Sequence, residues 1–144
     1  MGKKRSVQKA GGTADRGLLS RSLSRLPKRK IKTGVLHVNA TYNNTKLSLC
    51  DEKGNSVMWS STGALGFKGT KKSTPFAAAK VAALLADKAE AIGLQDVDVV
   101  IKGVGPGRES AMRSFVNKGF VIGSIVDKTP IPHNGPKRRK PRRV

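Results

Sequence analysis

The stretch Thr74-Pro-Phe-Ala-Ala-Ala-Lys-Val-Ala-Ala-Leu-Leu-Ala-Asp-Lys-Ala-Glu-Ala-Ile-Gly-Leu-Gln-Asp-Val-Asp-Val-Val-Ile-Lys102 reads as a helix that hands the chain directly to a strand. Thr74 is placed to cap the helix, and Pro75 takes the first helical position, where its missing N–H costs nothing. Ala78, Val81, Leu85, Ala89 and Ile92 recur on one face, with Lys80, Asp87 and Glu90 opposite. Gly93 ends the helix. Asp96–Lys102 holds Val97, Val99, Val100 and Ile101, a nearly continuous apolar run expected of a strand covered on both faces.

Upstream, Thr33–Ala40 is rich in β-branched and apolar residues and reads as a strand. Tyr42-Asn-Asn-Thr45 turns the chain, because Asn tolerates left-handed backbone and caps its own turn. Lys46–Asp51 alternates with period two, pointing Leu47 and Leu49 inward. Glu52–Asn55 makes a hairpin loop, and Ser56–Ser60 returns as a third strand carrying Trp59. Residues 61–74 form a loop of Gly, Ser, Thr and Lys. Downstream, Gly103-Val-Gly-Pro-Gly107 leads into a second helix, Arg108–Lys118, closed by Gly119, and Phe120–Asp127 is the last strand. The order βββαβαβ predicts an α/β fold: an antiparallel meander, then two crossovers. The sheet should be mixed and five-stranded, with the first, fourth and fifth strands parallel and two helices packed on it. No internal repeat is visible.

Charge points to the partner. The chain of 144 residues carries a net +20, yet residues 33–130 contribute only +4. Residues 1–32 hold eleven Lys/Arg against Asp15 alone, and residues 131–144 hold six with no acid. This divides the chain into a basic arm over 1–32, a globular domain over 33–129 and a basic tail over 130–144. Such arms gain order when phosphates neutralise them. Solubility alone asks for a net charge of only about 2–8 in a small domain. Nucleic acid is therefore the leading partner, with an anionic membrane as rival. No apolar run approaches the roughly 18 residues of a membrane span. The single Cys50 excludes an internal disulfide. Residues 1–32 also have the Arg- and Ser-rich, acid-poor character of a transit peptide, but the Lys28–Lys32 run continues into the first strand as an RNA-binding arm would.

Two loops invite a phosphate-binding reading. Gly66-Phe-Lys-Gly-Thr-Lys-Lys-Ser73 lacks the contiguous Gly-Lys-Ser/Thr of a nucleotide loop, so NTP hydrolysis is rejected. Its glycines and Lys68, Lys71 and Lys72 still stand just ahead of a helix N-terminus, where phosphates are favoured. Gly103-Val-Gly-Pro-Gly-Arg-Glu-Ser110 repeats the arrangement with Arg108, although a strand-to-helix turn needs glycines on its own account. Both loops precede helices of the same sheet and can present two anion sites on one edge. Asn134-Gly135 is a turn pair, and His133 offers a ring that could stack on or donate to RNA. His37 reads as a packed or edge histidine and Cys50 as packing. With two His and one Cys, a transition-metal site is not expected. A nuclease on such a sheet would need several carboxylates converging on metal ions. Asp51, Asp98 and Asp127 sit apart along the chain without a helical acid partner, and no cofactor or small-molecule substrate is implied.

Four segments stand together in order and spacing: Tyr42-Asn-Asn-Thr45; Gly66-Phe-Lys-Gly69 leading to Lys72-Ser-Thr-Pro-Phe-Ala-Ala78; Gly105-Pro-Gly-Arg-Glu-Ser-Ala111; and Thr129-Pro-Ile-Pro-His-Asn-Gly135. In these the chain resembles the family of the eleventh small-subunit ribosomal protein, of bacterial or organellar type, over about residues 30–144. The resemblance implies a ribonuclease-H-like βββαβαβ fold without catalysis. It implies a place on the small-subunit platform, bridging rRNA helices and lining the cleft for the mRNA–rRNA pairing helix near the exit site. The implied neighbours are the eighteenth and seventh small-subunit proteins, on a cytoplasmic ribosome or alternatively an organellar one. Carried onto this sequence, the rRNA-binding residues are Lys28, Arg29 and Lys30; Asn43 and Asn44; Lys68, Gly69, Lys71, Lys72 and Ser73; and Gly105, Gly107, Arg108 and Arg113. His133 and Asn134 follow, with Lys137, Arg138, Arg139, Lys140, Arg142 and Arg143 in the tail. The chain departs from the family in two places. Gly135 runs directly to Pro136-Lys-Arg-Arg-Lys140, where the family continues with Cys-Arg-Pro-Pro, and Val104 stands where a proline is frequent.

Overall fold

A computed structural model describes residues 30–140. Its elements are β1 (Thr33–Ala40), β2 (Thr45–Cys50), β3 (Ser56–Ser61), α1 (Pro75–Ala91), β4 (Asp96–Lys102), α2 (Gly107–Val116) and β5 (Val121–Asp127). The strands form one sheet in the order β3-β2-β1-β4-β5. β1 pairs antiparallel with β2, and β2 with β3, while β1–β4 and β4–β5 are parallel. The expected α/β fold, with its mixed five-stranded sheet and two helices, is the observed one. The loop after β3 also contains a short 3-10 turn, Gly69–Ser73, where the sequence pattern predicts only a loop.

Local chemistry sets the helix ends. Thr74 Oγ1 accepts the Ala77 N–H at 3.3 Å, and Pro75 follows at the first helical position. Such a cap contributes about 1 kcal/mol. Gly93, at φ +84°, adopts the left-handed conformation that stops α1. One continuous core lies between the helices and one face of the sheet. Leu36 and Val38 of β1, Leu47 and Leu49 of β2, and Val97 and Val99 of β4 meet Val81 and Leu85 of α1 and Phe115 of α2. Alanines at 78, 82 and 89 let α1 approach closely, and Lys118 Nζ reaches Asp87 at 2.5 Å to tie the end of α2 to α1.

β4 corrects one expectation. It is not covered on both faces: Val97, Val99 and Ile101 are buried, but Asp96, Asp98 and Lys102 are exposed. The reason is topological. Both crossovers, β3 to β4 and β4 to β5, step in the same direction across the sheet. Right-handed connections then place both helices on the same face, and among the described residues no helix packs on the other face.

Candidate nucleic-acid interface

β1, β3, β4 and β5 all run the same way, so their C-terminal ends gather at one end of the sheet. Backbone hydrogen bonds knit the loops there. The Thr62 N–H donates to Thr45 O at 3.1 Å, and the Gly105 N–H to Ala40 O at 2.9 Å. The Gly103 N–H donates to Thr129 Oγ1 at 3.1 Å, and the Lys128 N–H to Ile101 O at 2.8 Å. Both helices start from this end, and the C-terminal tail leaves from it.

The loop before α1 offers cations more than amides. Lys68, Gly69 and Lys71 are exposed, and Lys72 and Ser73 half-buried. Gly69 has φ +60° and nothing within 4 Å of the position of a Cβ, so the chain bends left-handed in open space. Ser73 Oγ donates to Thr70 O at 3.0 Å, and Thr74 Oγ1 to Lys71 O at 2.8 Å, fixing the lysines on a compact turn. Pro75 has no N–H, while those of Ala77 and Ala78 are taken by Thr74 Oγ1 and Thr74 O. Few amides of the first turn remain for an anion. Beside the loop, the Phe67 and Phe76 rings meet edge to face, and Lys80 Nζ lies 5.6 Å from the Phe76 centroid.

The second glycine loop is occupied by protein. A Cβ on Gly105 would lie 2.3 Å from Thr41 O, and one on Gly107 2.5 Å from Thr45 Oγ1 and 2.8 Å from Ala78 Cβ. Both glycines are buried, and what they admit is the neighbouring turn and α1. Arg108 turns back as well. It donates to Gly103 O at 2.8 Å and pairs with the Asp127 carboxylate. Arg113 pairs with Glu109 one turn away on the exposed side of α2.

Asp127 is the hub of this latch. It accepts the Thr129 hydroxyl at 2.5 Å and the Thr129 N–H at 2.9 Å. These two bonds, then Arg108, hold its carboxyl down from 3.8 to about 2. A depressed carboxylate favours the folded junction at pH above its ordinary value, and that contribution is lost as pH falls through the folded value. Carboxyl-carbon NMR of Asp127 should show a midpoint near 2. Thr129→Val should move the midpoint upward more than Arg108→Ala does, since the Thr129 hydroxyl supplies the leading hydrogen bond and only the backbone N–H remains in the variant. An unmoved midpoint in Thr129→Val would remove the hydroxyl from the latch.

The remaining candidates divide by exposure. Asn44 is held inside the turn: it accepts the Thr62 hydroxyl at 2.6 Å, and its backbone exchanges hydrogen bonds with Thr41 Oγ1. Asn43 is exposed, and Tyr42 is 73% exposed beside it. Lys30, His133, Lys137, Arg138, Arg139 and Lys140 are exposed and outside regular elements, as is Asn134, at φ +56°. Lys28, Arg29, Arg142 and Arg143 lie outside the described residues.

The acids are dispersed. Asp51 accepts the Asn55 N–H at 2.8 Å in the hairpin turn, Asp98 accepts the Ser124 hydroxyl at 2.7 Å, and Asp127 serves the latch. Among the described residues, no group of three His, Cys, Asp or Glu is placed to hold a metal ion. Burial, then the neighbouring Asp51, pushes the Cys50 thiol up, away from the reactive thiolate. Also among the described residues, no helix is long and apolar enough to cross a membrane.

Sequence reading passed over three cations near this end: Lys46, Lys102 and Lys128, all exposed. The period-two alternation around Lys46 marked its outward face, but only the strand order shows which residues are its neighbours.

A family model described as ribosomal protein S11 matches residues 34–143. The match runs from the start of β1 through the whole sheet, both glycine loops and the basic tail. It thus spans the end of the sheet that carries the cationic loop, the Arg108 latch and the departing tail, and the chain belongs to the ribosomal protein S11 family of the small ribosomal subunit.

Proposed function

We propose that the chain is a non-catalytic structural constituent of the small subunit that holds rRNA through phosphates at the C-terminal end of its sheet and through its basic arms. The observation that carries this reading is that the loop of Lys68, Lys71 and Lys72, after β3, and the basic tail, after β5, both leave from the same end of the sheet. Membership in the family supports a position on the platform, bridging rRNA helices beside the cleft for the mRNA–rRNA pairing helix near the exit site. It supports the eighteenth and seventh small-subunit proteins as neighbours and a ribosome-bound location, cytoplasmic or alternatively organellar. Asn43, Lys68, Lys71, Lys72, His133 and the arms, over 1–32 and 130–144, meet the RNA. Asn44, Gly105, Gly107 and Arg108 hold the loops in place. These contacts position the protein without reading sequence.

The test replaces Lys68, Lys71 and Lys72 by Gln together in the full chain. Retention of small-subunit rRNA is then measured at graded salt. Each lost phosphate contact removes about 0.7–0.9 from the log–log slope, so the slope should fall by roughly 2–3. None of the three lysines belongs to the core, and circular dichroism should not change. An unchanged slope removes the loop from the interface. In cell fractions the wild-type chain should sediment with the small subunit at moderate salt. Recovery chiefly in the soluble fraction would favour a cationic mRNA- or DNA-binding regulator instead.

A further inference from the structure

The bare face of the sheet carries a second set of residues suited to RNA. Ser48 of β2 stands opposite Trp59 of β3 on one side and His37 of β1 on the other, and His37 also faces Val100 of β4. One register step away, Asn39 lies between Lys46 and Lys102. Two adjacent rows therefore cross the sheet: an aromatic one, Trp59–Ser48–His37, and a cationic one, Lys46–Asn39–Lys102. Lys128 joins the second row where the chain leaves β5, anchored by its N–H on Ile101 O at 2.8 Å. His37, Asn39, Lys46, Ser48, Lys102 and Lys128 line a shallow groove of about 350 Å³.

Three features favour RNA as the occupant. The chain has a single Trp and only 4% aromatic residues, yet Trp59 is 64% exposed on this face. Small Ser48 separates it from His37. Strands lie about 4.8 Å apart, so the two ring-bearing backbones stand on the order of 10 Å apart, with space over Ser48 for a planar group. Charge is also polarised along the face. Lys46, Lys102 and Lys128 take part in none of the ion pairs among the described residues, which are Arg108–Asp127, Arg113–Glu109 and Lys118–Asp87. The exposed acids Asp96 and Asp98 stand toward the other end of β4, and Asp98 is engaged by Ser124. Asp127, beside Lys128, is held by Arg108. A flat surface pairing aromatic rings with lysines suits splayed bases, whereas a duplex keeps its bases stacked out of reach.

We propose that this open face is a platform for unpaired RNA nucleotides, with Trp59 and His37 stacking bases while Lys46, Lys102 and Lys128 hold the flanking phosphates. The proposal rests on the RNA-binding reading above and adds to it a separate site and the single-stranded class of its ligand. Because Trp59 is the only tryptophan, selectively excited tryptophan fluorescence reports on this face alone. The full chain is titrated with a short oligouridylate and with blunt duplex RNA of the same length, while anisotropy of labelled RNA follows total binding. Oligouridylate should quench Trp59, and duplex should bind without quenching. Lys46→Gln with Lys102→Gln should lower the salt slope for oligouridylate by about 1.4, at roughly 0.7 per contact. Trp59→Leu should weaken oligouridylate binding at least about fivefold, whereas Trp59→Phe, which keeps a ring, should retain most of it. Oligouridylate binding with no quenching, equal quenching by duplex, or a leucine variant that binds as well as wild type would overturn the platform and leave the rRNA reading standing. Failure to bind either RNA would overturn both.

Discussion

Gly105→Ala should destabilise the domain by about 4 kcal/mol, while Gly69→Ala should cost only about 1 kcal/mol. A single added methyl group has such different effects because the two glycines serve different ends. At Gly69 the backbone sits at φ +60° in open space, so alanine meets only the left-handed strain. At Gly105 the new Cβ would lie 2.3 Å from Thr41 O, 2.8 Å from Thr41 C and 2.9 Å from Ala40 C. These are backbone atoms, so no rotamer change can relieve the overlap. Thr41 is itself fixed by its N–H on Asn44 O at 2.8 Å, and Gly105 by its N–H on Ala40 O at 2.9 Å. Relief therefore requires the end of β1 to part from the loop after β4, with loss of that second hydrogen bond. Against a typical total of 5–15 kcal/mol, the loss is a large fraction. Urea denaturation would show it as a lower midpoint at unchanged slope. Equal midpoints for the two variants would mean that the close approach is not maintained in solution.

This contrast also explains how much of the molecule was legible in its sequence. Local signals gave the elements. Thr74-Pro75 marks the start of α1 and Gly93 its end, and the alternation through Lys46-Leu-Ser-Leu sets the faces of β2. Non-local contacts were invisible. The run Val97–Ile101 looks doubly buried, although Asp98 within it already signals an open side, and only the common direction of both crossovers accounts for that side. Gly105 and Gly107 fit a phosphate loop and a packed turn equally well until Thr41, Thr45 and Ala78 are placed against them. Arg108 reads as a free cation because Asp127 is nineteen residues away in sequence. The cationic row on the bare face is a property of strand order, since Lys46 and Lys102 become neighbours of Asn39 only through the pairing of β1 with β2 and β4. The charge of residues 1–32 and 130–144 needs no fold to be read.

Removing residues 136–144 should leave the melting transition in place and lower the salt dependence of rRNA binding by roughly 4–5 in log–log slope. The segment carries six Lys/Arg and no acid. Of these, Lys137, Arg138, Arg139 and Lys140 are exposed, outside any helix or strand and absent from the ion pairs among the described residues. They cover no core residue, so folding does not depend on them. Every one is available to displace a counterion from a phosphate, at about 0.7–0.9 of slope per contact. Six such contacts account for about a thousandfold of the affinity lost between 50 and 200 mM salt, so the truncated chain should lose about a thousandfold less than the full chain over that range. Filter binding of small-subunit rRNA at graded salt measures the slope, and calorimetry measures the melting transition. An unchanged slope would make the tail bystander charge, and a lowered melting transition would assign it a packing role instead. Gly105→Ala should do the reverse, destabilising the fold while leaving the slope of the folded protein unaltered. Opposite responses of stability and slope in the two variants would separate the glycine-packed scaffold from the charge it presents.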